Sequence, residues 1–146
     1  MQKEETKAFV KSYPDYVEEL YTECSVYNYR GQKADYIAFW DTGASNTLIT
    51  KRVVEDLKLA VSEFAELYHA GGSNISNCYN VFIELPNNIL IGPLKVIEGQ
   101  IEGSDVLIGM DIIGSGDLVV TNNDEHTEMA FSIPSSLKVN EVLKKS

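Results

Sequence analysis

Residues 34–50, ADYIAFWDTGASNTLIT, decide how the rest of this 146-residue chain is read. Asp41-Thr42-Gly43 lies at the centre: a carboxylate followed by a small hydroxyl residue and a glycine. The approach, Tyr36-Ile37-Ala38-Phe39-Trp40, is apolar and rich in aromatic and β-branched residues, so it reads as a buried strand. The exit, Gly43-Ala44-Ser45-Asn46, is small and turn-prone, and Leu48-Ile49 resumes an apolar run. A charged residue therefore stands where a core strand breaks into a tight turn. Burying a lone carboxylate is costly unless it is hydrogen-bonded or shares its charge with a partner. A chemical role for Asp41 is expected.

Two further segments extend the pattern. Asp105-Val106-Leu107-Ile108-Gly109-Met110-Asp111 is a short apolar run ending in glycine, and Tyr68-His69-Ala70-Gly71-Gly72-Ser73 lies between it and Asp41. In this order and spacing the chain resembles the retroviral (retropepsin) branch of the aspartic proteases, over roughly residues 34–133. The resemblance implies a catalytic role for Asp41. Thr42 would bond across a dimer axis, and Gly43 would let backbone approach the carboxylates. Ala44 follows the retroviral pattern, where pepsin-like relatives carry a serine bonded to the acid, which implies activity at less acidic pH. Leu107, Ile108 and Gly109 would support the loop from behind. Ala70, Gly71 and Gly72 would tip a flap closing over an extended peptide.

The mechanism needs two carboxylates, yet the chain has no second Asp-Thr-Gly or Asp-Ser-Gly. The resemblance therefore implies a homodimer with Asp41 of each subunit at a two-fold axis. A polypeptide substrate is implied, with no metal, cofactor or covalent intermediate. Two departures bear on the dimer: retroviral enzymes place an Asp where Ser45 stands and an Arg where Met110 stands, and their ion pair is absent as a unit.

Bulk properties narrow the alternatives. The formal charge of −10 argues against nucleic acid and anionic membranes as partners. No stretch approaches the length of a membrane span, and MQKEETKAFV lacks the apolar core of a signal peptide, so a cytoplasmic protein is expected. Cys24 and Cys78 form no metal or redox pattern and read as buried or half-buried thiols, with one disulfide as the alternative. His69 and His126 stand alone and read as surface residues, and Gly114-Ser115-Gly116 follows the wrong element for a phosphate loop.

The element pattern predicts an all-β fold: a small closed barrel of the acid-protease half type, with one or two short helices and a flap hairpin. Met1–Thr6 reads as frayed, Lys7–Ser12 as a short edge strand and Val17–Asn28 as extended, with a turn at Tyr29–Gln32. Lys51–Leu59 carries Val53, Val54 and Leu57 on one helical face with Thr50 as N-cap. Val61–Tyr68 and Cys78–Leu85 form a hairpin tipped by glycines, with Tyr68 as a cross-strand packing residue. Ile89–Ile91 and Leu94–Ile97 are extended, Val106–Ile108 is a core strand, and Asp105 and Asp111 read as turn and cap residues. Leu118–Val120 and Met129–Ile133 flank another turn, and Leu137–Lys145 is a weak helix or tail. The expectation is one domain over residues 1–146, its core about 7–133 and a polar tail at 134–146. Trp40 reads as core, with a role in the floor near Asp41 as the alternative. Three functions compete: an aspartic endopeptidase, a non-catalytic peptide- or protein-binding module on the same fold, and a β-barrel interaction domain in which Asp41 merely caps its own turn.

Overall fold

The computed structural model describes residues 5–144. The fraying expected at the amino terminus falls largely on residues 1–4, which lie outside the described residues; Glu5 and Thr6 precede the first strand.

Alternating apolar residues build the strands in hairpins. β2 (Leu20–Tyr27) and β3 (Lys33–Trp40) pair antiparallel from Leu20↔Trp40 to Tyr27↔Lys33. Asn28 closes the turn between them: its Oδ1 accepts from the N–H groups of Arg30 and Gln32 at 2.9 and 3.0 Å. β4 (Leu48–Ile49) leads into α1 (Lys51–Asp56). β5 (Glu63–His69) and β6 (Gly72–Leu85) form a long hairpin, followed by β7 (Ile89–Glu98). The two apolar runs expected around Pro93 are one strand, with a register shift between Val81 and Ile83 on its partner β6. β8 (Val106–Ile108), α2 (Met110–Ile113), β9 (Asp117–Thr121), β10 (Glu128–Ile133) and α3 (Val139–Val142) complete the described elements. Three short helices thus stand where one or two were expected, the third within the carboxy-terminal segment.

Six strands close into a barrel in the order β2-β3-β8-β4-β7-β6. Closure comes from β6 returning to β2 through Ser25↔Glu84, Val26↔Ile83 and Tyr27↔Phe82. β5 extends from β6 as the outer arm of the hairpin. The interior is filled by Val26, Ala38, Ile49, Val81, Ile83, Val96, Val106 and Ile108, all fully buried. Closing the sheet removes its edges, so every inward side chain meets another across the interior.

β1 (Lys7–Ser12), β10 and β9 form a separate three-stranded antiparallel sheet. Aromatic side chains fasten it to the barrel: the Trp40 ring lies 5.1 Å from Phe131 and 5.9 Å from Phe9, centroid to centroid. The Trp40 indole N–H, which needs a partner when buried, donates to Thr22 Oγ1 at 2.9 Å. Trp40 is therefore a core residue. Tyr36, Ala38 and Trp40 point inward, but Ile37 is 45% exposed and Phe39 only half-buried. The strand expected to be buried covers the core with one face, and its other face is partly exposed.

Candidate active-site loop

The loop begins where the β3–β8 ladder ends. β3 and β8 run parallel, with Trp40 opposite Ile108, and the Asp41 N–H donates to the Ile108 carbonyl at 2.8 Å. The chain then turns sharply, with the Ala44 N–H donating to the Asp41 carbonyl at 3.2 Å. The Gly43 N–H donates to Asp41 Oδ1 at 2.8 Å. That bond fixes the carboxylate's direction. A Cβ at Gly43 would stand 3.2 Å from Asp41 Oδ1, so glycine keeps the approach open.

Segment 107–111 holds the loop from behind. The Met110 N–H donates to the Ala44 carbonyl at 2.7 Å. Gly109 passes so close that a Cβ there would lie 2.7 Å from the Asn46 carbonyl oxygen and 2.9 Å from that of Ala44. Thr47, fully buried, donates its N–H to Asp111 Oδ2 at 2.8 Å and its hydroxyl to Asp111 Oδ1 at 2.7 Å. Its Oγ1 also accepts the Gly109 N–H at 3.2 Å. At the other end of β4, Thr50 donates its hydroxyl to Asp105 Oδ1 at 2.7 Å, and Asp105 Oδ2 accepts from Arg52 at 3.1 Å. The two-residue strand β4 is thus clamped at both ends.

These contacts correct three expectations. Thr50 occupies the N-cap position of α1, but its side chain makes no cap bond because Asp105 takes the hydroxyl. Asp111 lies within the first turn of α2, whose N-cap is Gly109, and its carboxylate holds Thr47. Asp105 likewise braces β4 instead of serving only a turn. Thr47 and Asp111 are the residues that reading by segment missed. The available signal was the matched pair of threonines flanking Leu48-Ile49 and of aspartates flanking the 106–110 run.

Asp41 itself is exposed, as are Thr42 and Gly43, while Ala44 is half-buried. The expected burial of the carboxylate is not met within one chain, because its whole supporting scaffold lies behind it. Asp41 has no ion-pair partner among the described residues. Ser45 and Met110 are also exposed on this side.

The β5–β6 hairpin runs from Glu63↔Cys78 to His69↔Gly72, leaving Ala70-Gly71 as a two-residue turn. Gly72 adopts φ 132°, a region that glycine alone enters readily. The Gly71 N–H donates to His69 Nδ1 at 3.1 Å. Tyr68, expected to pack across the strands, is 80% exposed, and its hydroxyl donates to Glu66 at 3.3 Å. Its opposite residue Ser73 has no bulk to pack against. The structure therefore brings Asp41–Ala44 together with 107–109. Among the described residues, no hydrogen bond joins that loop to Ala70, Gly71 or Gly72.

Cys24 and Cys78 are both buried free thiols. Burial, reinforced by the Asp35 charge, pushes the Cys24 thiol up to about 12. Among the described residues no three His, Cys, Asp or Glu side chains are grouped to hold a metal ion, and no helix is long and apolar enough to cross a membrane.

No protein-family model matches the chain. No curated protein sequence matches it either. Among solved structures, it is similar to a retropepsin-like aspartic protease from Rickettsia conorii, with TM-score 0.55 and 17% identity over 91% of this chain and 98% of that one. It is also similar to the EIAV protease in complex with the inhibitor HBY-793, with TM-score 0.50 and 17% identity over 66% of this chain and 86% of that one. The all-β fold is that of the retropepsin-like aspartic proteases.

Proposed function

We propose that the protein is an aspartic endopeptidase that works as a homodimer, with Asp41 of each subunit forming the catalytic pair. The observation that carries this reading is the Asp41 carboxylate: held by Gly43, backed by Gly109, and presented to solvent with no ion-pair partner among the described residues. A capping aspartate in an ordinary bend has no need of the Thr47–Asp111–Gly109 scaffold. A residue that must meet its own copy has to be both rigid and accessible.

The chemistry follows from the pairing. Two carboxylates about 3 Å apart, at an effective dielectric near 20, repel by about 5 kcal/mol if both are ionised. One proton is therefore shared, and the pair titrates in two widely separated steps. The ionised member takes a proton from water, which attacks the scissile carbonyl. The protonated member hydrogen-bonds the carbonyl oxygen and later supplies a proton to the leaving amine. Residues 7–133 serve as one half of the active unit. Thr42 would bond across the axis, and the Ala70–Gly72 tip would fold over a peptide lying as an added strand.

The test is to measure oligomeric state by sedimentation and to incubate wild type and Asp41→Asn with a diverse peptide library from about pH 3 to about pH 8. Cleavage by the wild-type dimer, abolished in Asp41→Asn, is expected. A folded protein that binds peptides without cutting them, equally in both forms, refutes the proposal in favour of a binding module.

A further inference from the structure

Strand alternation that turns Trp40 into the core turns Phe39 and Ile37 outward, and Asp41 follows directly where β3 ends. Same-face neighbours along a strand are about 6.6 Å apart, so Ile37 and Phe39 form an outward row leading to the strand end from which Asp41 departs. On the adjacent strand Tyr21 pairs with Phe39. Val17, Glu18 and Glu19, in the bend before β2, complete a groove of about 500 Å³ with Tyr21, Ile37 and Phe39. Because Leu20 pairs with Trp40, the bend at Glu18-Glu19 reaches the end of the strand where Asp41 begins. Gly103 passes beside the Phe39 ring, where a Cβ would stand 3.5 Å from it.

The groove thus has an apolar and aromatic floor and an acidic rim. Glu18 and Glu19 are exposed, and neither is ion-paired among the described residues. Lys11 reaches the Tyr21 end of the floor, its Nζ 5.8 Å from the Tyr21 ring centroid and 5.9 Å from that of Tyr13.

We propose that this groove receives a lysine or arginine side chain of the peptide held at Asp41. Such a side chain matches both parts: its methylene stem covers apolar surface while its charged head stays at the wet rim. The aromatic floor adds attraction for a cation. The formal charge of −10 favours approach of basic peptides and opposes acidic ones. The groove's role in specificity rests on the proteolytic reading of Asp41.

The experiment compares peptides identical except at one scanned position, occupied by Lys, Arg, norleucine or Glu. It uses wild type, the Glu18→Gln/Glu19→Gln double variant and Asp41→Asn. The readout is the ratio of kcat/KM for Lys to that for norleucine within each protein, which cancels any loss of folded enzyme. A ratio of about two to five at low salt is expected in wild type, shrinking towards one at high salt and in the double variant. Cleavage with no preference for Lys or Arg, or a preference untouched by the double substitution, overturns the groove assignment while leaving the protease. Absence of cleavage overturns the protease. Fluorescence-polarisation binding to Asp41→Asn then decides the groove: Lys-over-norleucine preference that depends on Glu18 and Glu19 supports it, and its absence overturns it.

Discussion

Replacing Thr47 by valine is the most direct test of the scaffold behind Asp41. Valine keeps the shape and removes only the hydroxyl, which donates to Asp111 Oδ1 at 2.7 Å and accepts from the Gly109 N–H at 3.2 Å. The bond to a charged acceptor is worth about 1.5–3 kcal/mol, and the orphaned, buried Gly109 N–H costs about 1–3 kcal/mol. Asp111 keeps its bonds from the backbone N–H groups of residue 47 and Ile112, so the carboxylate is not stranded. The expected loss is about 3–5 kcal/mol, a large share of a typical domain's total. For a chain of this size that lowers the Tm by about 10–20 °C. The assay is urea and thermal unfolding followed by circular dichroism, with Thr50→Val as comparison. Thr50 makes a single bond to Asp105 from a half-buried position, so about 1 kcal/mol is expected there. A Thr47→Val protein within about 1 kcal/mol of wild type, or no weaker than Thr50→Val, refutes the clamp.

Gly109→Ala places a methyl against two backbone carbonyls that cannot swing aside, so about 1–3 kcal/mol of destabilisation is expected, with faster amide exchange at residues 44–47; unchanged exchange counts against the close approach. Cys24, pushed up to about 12 by burial and then by Asp35, stays a neutral thiol at pH 8 and is expected to react with Ellman's reagent only as fast as the chain unfolds. The same shift contributes stability that is whole below the unfolded value of about 8.5 and is lost as pH rises towards the folded value, a decline that Cys24→Ala removes in alkaline denaturation. The Asp117 carboxyl is held below its ordinary value by the Ser135 hydroxyl and then by the N–H groups of Leu137 and Ser136. Docking of residues 135–137 is therefore favoured above about pH 4 and weakens as pH falls through the lower folded value; amide exchange of that segment should show this, and Asp117→Asn should flatten it.

Much of the architecture was legible because it is written locally. Lys7–Ser12 forms a strand with the expected bounds, the turn at Tyr29–Gln32 closes the hairpin feeding Asp41, and the glycines at 71 and 72 cap the β5–β6 arm. The crossing of 107–109 behind the loop was expected from the family resemblance of the 105–111 segment, and Trp40 was expected in the core. What stayed hidden is long-range. Thr47 and Asp111 are 64 residues apart and Thr50 and Asp105 are 55 apart, so adjacent sequence suggested caps where the fold makes braces. A five-residue apolar run such as Tyr36–Trp40 does not reveal that one of its faces looks outward. Tyr68 was misjudged because its partner could not be known before the register was.

The sheet of β1, β10 and β9 draws all its strands from one chain and is anchored through Phe9 and Phe131 to Trp40. Within the chain, this sheet covers the Trp40 end of β3, directly before Asp41. If catalysis needs two copies of Asp41, turnover in dilute solution then climbs with the square of protein concentration. On the proposed pairing, abundance itself then sets activity.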